Sequence, residues 1–297
     1  MSDGSGDRPS SAHPECEETG ALSDLDETER ADPRFRDLEM RSPAELLATL
    51  LEGQARANLA VETALPSIEA AAIAVTGRIA ASPQSRLVYA GAGTSGRLAM
   101  LDGVELGPTF GWPTERTEFL LAGGTASLSR AREGAEDDRT AAVTTVREAG
   151  IGRCDVVIAL AASGRTPFTC EIAAASRAAG ALVITLANNP DTPLLRAGDH
   201  AILLRTGSEV LAGSTRMAAG TAQKIALNLL STAVMVGLGK VFRGRMIDMH
   251  PTNRKLRRRA ARMIADVTGC GEGDAIAAME VCEGDIRAAM LRIESGG

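Results

Sequence analysis

The residues best suited to chemistry lie in a turn at 91–96 with the sequence GAGTSG. An apolar run at 86–90 predicts a buried strand before the turn, and apolar spacing predicts a helix after it. The glycines let backbone N–H groups approach a ligand closely, and Thr94 and Ser95 add hydroxyl donors. Since a helix N-terminus also carries partial positive charge, this turn predicts an anion-binding site.

A second turn with similar chemistry occurs at 163–166, where the sequence is SGRT. It follows a strongly apolar run at 155–161, which predicts another buried strand. Because parallel strands end at one edge of a sheet, Ser163, Gly164 and Thr166 can share a ligand with the first turn. These donors suit a phosphate monoester, although helix capping is an alternative role for the two hydroxyls. The sequence has no P-loop motif that would indicate a nucleoside triphosphate.

Charged residues follow each turn. Glu105 lies about three helical turns after the first turn, and Glu136 lies in an acidic cluster. Taken alone, both glutamates are typical of a solvated surface. Arg216 and Lys224 are cations in an otherwise apolar region, and they predict contact with the carboxylate or the phosphate of a ligand. The alternative is that they cap helix carbonyls or pair with Glu209.

The first turn also fits the GxGxxG pattern of dinucleotide-binding sites. Such a site needs an acidic residue at the end of the next strand, about 20 residues further on, to bind the ribose. The next predicted strand, at 117–121, is followed by Ala122 and Gly123, so no acid stands there. A nicotinamide or flavin site is therefore disfavoured. The three histidines are scattered along the chain, which disfavours a histidine metal site.

The charge balance limits the classes of partner. With 32 basic and 38 acidic residues the net charge is −6, which disfavours a general nucleic-acid-binding protein. The basic run at 253–259 has no interleaved aromatic residues, and it predicts a solvated helix face or a dimer contact.

The distribution of cysteines and apolar residues indicates the compartment. Five cysteines without CxxC spacing fit reduced thiols, and the polar N-terminus lacks the apolar core of a signal peptide. The longest apolar stretch, at 225–238, is shorter than the roughly 20 residues that a membrane span needs. We therefore expect a cytoplasmic protein with no membrane partner.

Apolar runs that alternate with helical segments predict an α/β fold with a doubly wound, mainly parallel sheet. The strands are predicted at 86–90, 117–121, 155–161, 182–186 and 201–204. Before the sheet, a capping signal at Ser42 starts a helix that should end near Ala64, and Pro66 should open a second helix. Four regions follow: a disordered acidic tail (1–31), an N-terminal helical arm (32–76), a sheet domain (77–240) and a small C-terminal helical subdomain (241–297).

Several stretches, in order along the chain, resemble one family, the N-acetylmuramic acid 6-phosphate etherases, which are built on the sugar isomerase (SIS) domain. The resemblance runs from about residue 28 to about residue 289. The matching stretches are GAGTSGRL (91–98), LD (101–102) with Glu105, PTFG (108–111), AGG (122–124), EGAED (133–137), AASGRTP (161–167), GSTRMAAGTAQK (213–224), NLLST (228–232) and TNRKL (252–256).

The resemblance implies a five-stranded parallel sheet between helices and a homodimer with sites near the subunit interface. It implies cleavage of the D-lactyl ether at C3 of N-acetylmuramic acid 6-phosphate to N-acetylglucosamine 6-phosphate and D-lactate, without a metal or an organic cofactor. By position, Ser95, Ser163 and Thr166 match the phosphate ligands of SIS domains. Glu105 matches the proton donor of the family, and Glu136 matches its second catalytic glutamate.

This chemistry requires two carboxyl groups. Once the sugar opens to its aldehyde, a base can remove the C2 proton, and the C3 oxygen leaves if an acid protonates it. Water then adds at C3 with the two roles reversed. We assign Glu105 as the acid and Glu136 as the base, with their pKa values pushed apart by different environments. The helix after the first turn is expected both to anchor the phosphate and to direct Glu105 to the ether.

One departure from the family pattern lies beside Glu105. Gly107 stands where the family has a proline, which predicts a looser turn after the glutamate. Two other functions remain open: a non-catalytic sugar-phosphate-binding regulator, and an aldose–ketose isomerase of sugar phosphates. Retention of Glu105 and Glu136 disfavours the regulator, and the TNRKL and GSTRM matches disfavour the isomerase.

Overall fold

The computed structural model describes residues 26–128, 130, 134–249, 251 and 254–295. Its main sheet has five parallel strands in the order β2-β1-β3-β4-β5, which confirms the predicted α/β class. The strands are β1 (Leu87–Gly91), β2 (Thr117–Leu121), β3 (Val156–Leu160), β4 (Leu182–Ala187) and β5 (His200–Leu203). Each strand lies within one or two residues of its predicted position.

Helices cover both faces of this sheet. They are α1 (Pro43–Ala80), α2 (Gly93–Phe110), α3 (Arg139–Glu148), α4 (Pro167–Ala178), α5 (Pro193–Ala197) and α6 (Ala218–Gly237). Alternate strand residues point to opposite faces, so Leu87 and Tyr89 pack with α1, α2 and α6. Val88 and Ala90 pack with α3, α4 and α5. The central strands β1, β3 and β4 are buried on both faces, which explains why their sequences are almost continuously apolar.

The long helix α1 corrects the prediction of two helices. Ser42 forms the expected capping box with Glu45, but the helix then continues for 38 residues with Pro66 inside it. Proline costs a helix interior about 3 kcal/mol relative to alanine. The helix continues because its buried stripe keeps the same phase on both sides of the proline, at Ala57, Val61, Ala64, Ile68, Ala71 and Val75.

The C-terminal region has a core of its own. A short hairpin of β6 (Val241–Phe242) and β7 (Arg245–Met246) leads to α7 (Arg254–Thr268), α8 (Glu272–Val281) and α9 (Ile286–Glu294). Buried residues of these helices form a separate apolar cluster. This supports our proposal that 241–297 is a helical subdomain. The boundary proposed at 76 and 77 falls inside α1, which packs into the sheet core on both sides of it, so we propose that the sheet domain begins with α1.

The N-terminal tail was expected to extend to residue 31. Its residues 1–25 lie outside the described part of the chain. Residues 26–31 are described, and here the prediction of disorder is wrong, because Thr28 is fully buried against loops at the strand ends. We call residues 26–29 the N-terminal strap.

Replacing Pro66 tests the account of α1. Pro66→Ala restores a backbone N–H to an exposed position of the helix and removes the cost of proline there. Alanine also makes the unfolded chain more flexible, which offsets part of this gain, so we expect the free energy of unfolding to rise by about 2 kcal/mol. Urea unfolding would measure it. Thr63→Ala, on the exposed side of the same helix, is the control and should raise stability by no more than about 0.7 kcal/mol, the difference in helix propensity. A loss of stability in Pro66→Ala would contradict this account.

Candidate functional site

The two predicted turns meet at one cavity. β1 and β3 are neighbours in the sheet and end at the same edge, so their turns lie side by side. Between them is a cavity of about 610 Å3, lined by polar groups that include Thr94, Ser95, Ser163 and Thr166. The structure therefore brings together the hydroxyls that the sequence singled out.

The first turn presents the start of α2 to this cavity. α2 begins at Gly93, two residues after β1 ends, and the first N–H groups of a helix have no intrahelical partner. Strand and helix approach closely here, because a Cβ on Gly96 would lie 2.9 Å from the carbonyl oxygen of Gly91. Ser95 is buried at the floor of the turn. The geometry offers backbone and hydroxyl donors to an anion.

The second turn leaves its hydroxyls available to a ligand. Gly164 has a φ of +66°, and a Cβ there would collide with Thr192, so only glycine fits. The Ser163 hydroxyl accepts a hydrogen bond from the backbone N–H of Arg165 at 3.1 Å, which leaves its own proton to donate. Thr166 stands at the N-cap of α4 but makes no capping hydrogen bond with its side chain.

Glu136 lies in the same cavity. Its backbone carbonyl accepts a hydrogen bond from the N–H of Phe168 at 2.9 Å, which fixes the loop to the start of α4. Its carboxylate lies over the first turn, since a Cβ built on Gly93 would be 3.0 Å from Oε1 of Glu136. The structure thus places this carboxylate beside the predicted phosphate ligands.

Glu105 lies elsewhere. It lines a separate cleft of about 230 Å3 between α2 and α6, together with Lys224 and Asn228. The looser turn predicted at Gly107 is absent: α2 stays helical past it, and Gly107 accepts the N–H of Gly111 at 2.9 Å. The structure does not place Glu105 in the cavity that holds Glu136.

A buried carboxylate supports the Glu105 cleft, and sequence reasoning gave it no role. Asp102 accepts hydrogen bonds from the hydroxyl of Tyr89 at 2.9 Å, from the amide of Asn228 at 3.0 Å and from the hydroxyl of Ser231 at 3.1 Å. Asn228 in turn accepts a hydrogen bond from the ammonium of Lys224. Burial raises the pKa of Asp102, and the three hydrogen bonds and the nearby Lys224 charge oppose that rise.

The two predicted ligand-binding cations, Arg216 and Lys224, lie in different places in the structure. Lys224 joins the Asp102 network, whereas Arg216 is exposed and its neighbour Thr215 lines the cavity. The alternative of pairing with Glu209 is wrong, because that carboxylate accepts the backbone N–H groups of Ala218 at 3.0 Å and Ala219 at 2.8 Å. Burial raises the pKa of Glu209. In the described part of the chain, no group of three or more His, Cys, Asp or Glu residues could hold a metal ion.

Comparison with known proteins gives consistent matches. The model of the "Glucokinase regulatory protein N-terminal SIS domain" matches residues 71–175, and the SIS domain model matches residues 146–233. A protein of Deinococcus radiodurans named N-acetylmuramic acid 6-phosphate etherase is 47% identical over 93% of this chain and 90% of its own length. One of the same name from Symbiobacterium thermophilum is 42% identical over 88% of this chain and 86% of its own length.

A solved structure supports the fold. The crystal structure of a putative phosphosugar isomerase from Bacteroides fragilis aligns with a TM-score of 0.52 at 20% identity. The alignment covers 70% of this chain and 98% of that one. At this identity the likeness extends to the fold alone.

The pH dependence of stability tests the Asp102 network. Since the native pKa of Asp102 is raised, the unfolded chain binds fewer protons than the native state from about pH 4 up to the native pKa. The stability of wild type relative to Asp102→Asn should therefore fall as the pH rises through this range, which urea unfolding at several pH values would measure.

A second comparison controls for this prediction. Asn228→Ala removes a hydrogen bond that lowers the pKa of Asp102, so the fall of stability with pH should extend to higher pH in that variant than in wild type. A stability difference between wild type and Asp102→Asn that is independent of pH would show that the carboxyl titrates alike in both states.

Proposed function

The chain belongs to the N-acetylmuramic acid 6-phosphate etherase family, and we propose that it cleaves the D-lactyl ether at C3 of N-acetylmuramic acid 6-phosphate. The products are D-lactate and N-acetylglucosamine 6-phosphate, so the protein is a carbon–oxygen lyase of cell-wall amino-sugar recycling. The observation that carries this proposal is the 47% identity to a named etherase over 93% of the chain. The polar cavity at the ends of β1 and β3 supports it independently.

The substrate phosphate binds between the two turns in this proposal. Thr94 and Ser95 with the first N–H groups of α2 meet it on one side, and Ser163 and Thr166 meet it on the other. Gly164 is not among the residues that line the cavity, and its N–H already donates to the carbonyl of Ala161 at 3.0 Å, so its part is to shape the turn. Charge-assisted hydrogen bonds from hydroxyl and N–H donors to a phosphate are short and strong. They fix C6, and thereby the carbon chain that reacts.

Glu136 is the base that removes the C2 proton. Its carboxylate lies in the cavity, beside the turn that holds the phosphate. When the sugar opens to its aldehyde, the C2 proton is acidified by the adjacent carbonyl, so a carboxylate is sufficient as the base. Loss of the C3 oxygen then gives an unsaturated aldehyde, to which water adds at C3.

Glu105 acts from the partner subunit. Ser95 and Glu105 are ten residues apart on α2, which is about 15 Å along the helix axis. Six bonds join the phosphorus to the ether oxygen, a span of about 8 Å even when fully extended. The phosphate lies beyond the N-terminus of α2 at Gly93, which is about 18 Å from Glu105 along the helix axis. The extended substrate and the glutamate side chain together span only about 13 Å, so we infer that Glu105 of the same chain does not reach the ether. In this proposal one helix anchors the phosphate of one site and directs the acid of the other, instead of serving a single site as expected from the sequence.

An unpartnered apolar face beside Glu105 supports a homodimer. On α2, Leu101 and Val104 are about half exposed, and they precede the glutamate by four residues and by one. On α1, Leu51, Leu59 and Ile73 are 71%, 63% and 67% exposed and form a stripe opposite the buried one. Large exposed apolar stripes are uncommon on soluble monomers, so we propose that a second copy of the chain covers these two helices.

The same helix raises the question of a membrane. By length and composition alone, α1 is long and apolar enough to cross one. Its inner stripe is buried in the sheet core, and Glu62 and Glu69 lie on the outer stripe at helical spacing from Leu59 and Ile73. Two carboxylates on that stripe suit a protein interface better than lipid. We propose a cytoplasmic enzyme, in keeping with the free thiols of Cys154, Cys170, Cys270 and Cys282.

Lys224 provides the contact for the leaving group. It shares the cleft with Glu105, and Asn228 and Asp102 hold its ammonium in place. The lactyl group carries a carboxylate next to the ether oxygen that Glu105 protonates. A fixed ammonium beside the acid would bind that carboxylate and align the ether with its proton donor.

The sugar-phosphate-binding regulator remains the second candidate. The match to the glucokinase regulatory protein domain over residues 71–175 favours it, since the name of that domain describes a regulator. An isomerase would interconvert aldose and ketose phosphates and release no lactate. Enzymatic measurement of D-lactate from purified protein and N-acetylmuramic acid 6-phosphate separates the three functions.

Two isosteric variants test the roles of the glutamates. Glu105→Gln and Glu136→Gln each remove one acid–base group without changing the shape of the site, so we expect kcat for lactate release to fall by at least about 100-fold in each. Glu115→Gln, on the surface before β2, is the matched control and should retain wild-type kcat. Full activity in either site variant would remove that residue from the mechanism.

Mixing the two inactive variants tests whether the site is shared. A heterodimer of Glu105→Gln and Glu136→Gln chains contains one site with both glutamates if each site draws on two chains. After random exchange of subunits, about a quarter of wild-type activity should therefore return. No recovery, with exchange verified by mass spectrometry of tagged chains, would place both glutamates of a site on one chain.

A further inference from the structure

The N-terminal strap is fastened to the loops around the cavity. The N–H of Thr28 donates to Oδ1 of Asn189 at 3.1 Å, and Nδ2 of Asn189 donates to Oγ1 of Thr28 at 2.9 Å. The carbonyl of Thr28 accepts the N–H of Gly213 at 3.1 Å. Both side chains of the first pair are completely buried. The backbone position of residue 28 is therefore fixed by hydrogen bonds on both sides.

Two ion pairs hold the preceding residues of the strap. Asp26 accepts from Nε of Arg165, in the second turn, at 2.9 and 3.0 Å. Glu27 accepts from Nε of Arg205 at 3.0 Å with both oxygens, and this hydrogen bond lowers the pKa of Glu27. Each of these carboxylates thus has its own arginine.

The next carboxylate of the strap differs. Glu29 lines the cavity, and its Oε2 lies 3.0 Å from the position of a Cβ on Gly213. Within the described residues, no donor makes a hydrogen bond or an ion pair with it. The other polar side chains of the strap therefore bind it to the surrounding loops, and one unpaired carboxylate faces the cavity.

We propose that Glu29 is a substrate-binding residue that accepts hydrogen bonds from the hydroxyl or amide N–H groups of the sugar. This inference rests on the proposed function of the cavity. A carboxylate cannot donate to a phosphate and repels its charge, so Glu29 must face the neutral part of the ligand. Sugar hydroxyls and the acetamido N–H are the donors that such a ligand brings.

The position of Glu29 separates its role from that of Glu136. Glu136 lies over the first turn at Gly93, whereas Glu29 lies by Gly213, on the loop before α6. Thr215, on the same loop, also lines the cavity. The two carboxylates thus approach the ligand from different elements, and we assign binding and orientation of the sugar to Glu29.

Calorimetric titration with two probes tests the proposal. For Glu29→Ala, the Kd of N-acetylglucosamine 6-phosphate should rise about tenfold or more, because a charge-assisted hydrogen bond is lost. The Kd of inorganic phosphate should stay within about twofold of wild type or decrease, since repulsion is removed. Glu29→Gln keeps an acceptor oxygen and should lie between wild type and alanine.

Glu27→Gln is the matched control, because it weakens an ion pair of the same strap outside the cavity lining and should change both Kd values by less than about twofold. Equal weakening of both probes in Glu29→Ala, or unchanged binding of the sugar phosphate, would overturn the assignment. If wild type fails to bind the sugar phosphate at all, the proposed function fails first and the inference with it.

Discussion

The parallel pairing of β1 with β3 is the constraint on which the site depends. Its register sets Gly91 opposite Leu160, so both strands end at the same level. The chain after each strand must turn at that edge, and each turn is followed by the N-terminus of a helix, α2 or α4. Donors that are about 70 residues apart in sequence therefore converge on one cavity. A shift of one residue between these strands would separate the turns and reverse the face of every side chain.

Local sequence signals sufficed for the sheet and for the two turns, because the central strands are apolar on both faces and each turn is marked by glycines and hydroxyls. The prediction that a second helix begins at Pro66 was wrong because it considered only the local cost of a proline inside a helix. The buried apolar stripe of α1 continues past Pro66 and outweighs that cost. The Asp102 network could not be foreseen, since it joins residues 126 and 129 positions apart through tertiary packing. The order of the strap could not be predicted for the same reason, because a polar composition does not reveal a distant hydrogen-bond partner such as Asn189.

The geometry of α2 changes how the site is understood. A helix is a rigid spacer, so the residues at its two ends cannot serve one small substrate within a single chain. In the proposed dimer, the anion end of α2 and the acid near its other end therefore belong to different sites. The exposed apolar residues around Glu105 fit this arrangement, since they would be covered where the two chains meet. Fold and chemistry thus point to the same face of the molecule.

Burial of Thr28 against Asn189 has a consequence for the order of events during synthesis. The strap leaves the ribosome before the rest of the described chain, yet its main partner follows 161 residues later, and Gly213 later still. At about 5 to 20 residues per second, the strap waits roughly 10 to 30 s for the surface it must cover. The strap therefore cannot dock until β4 and the loop that follows it have been made, although the strap itself precedes all five strands in the chain.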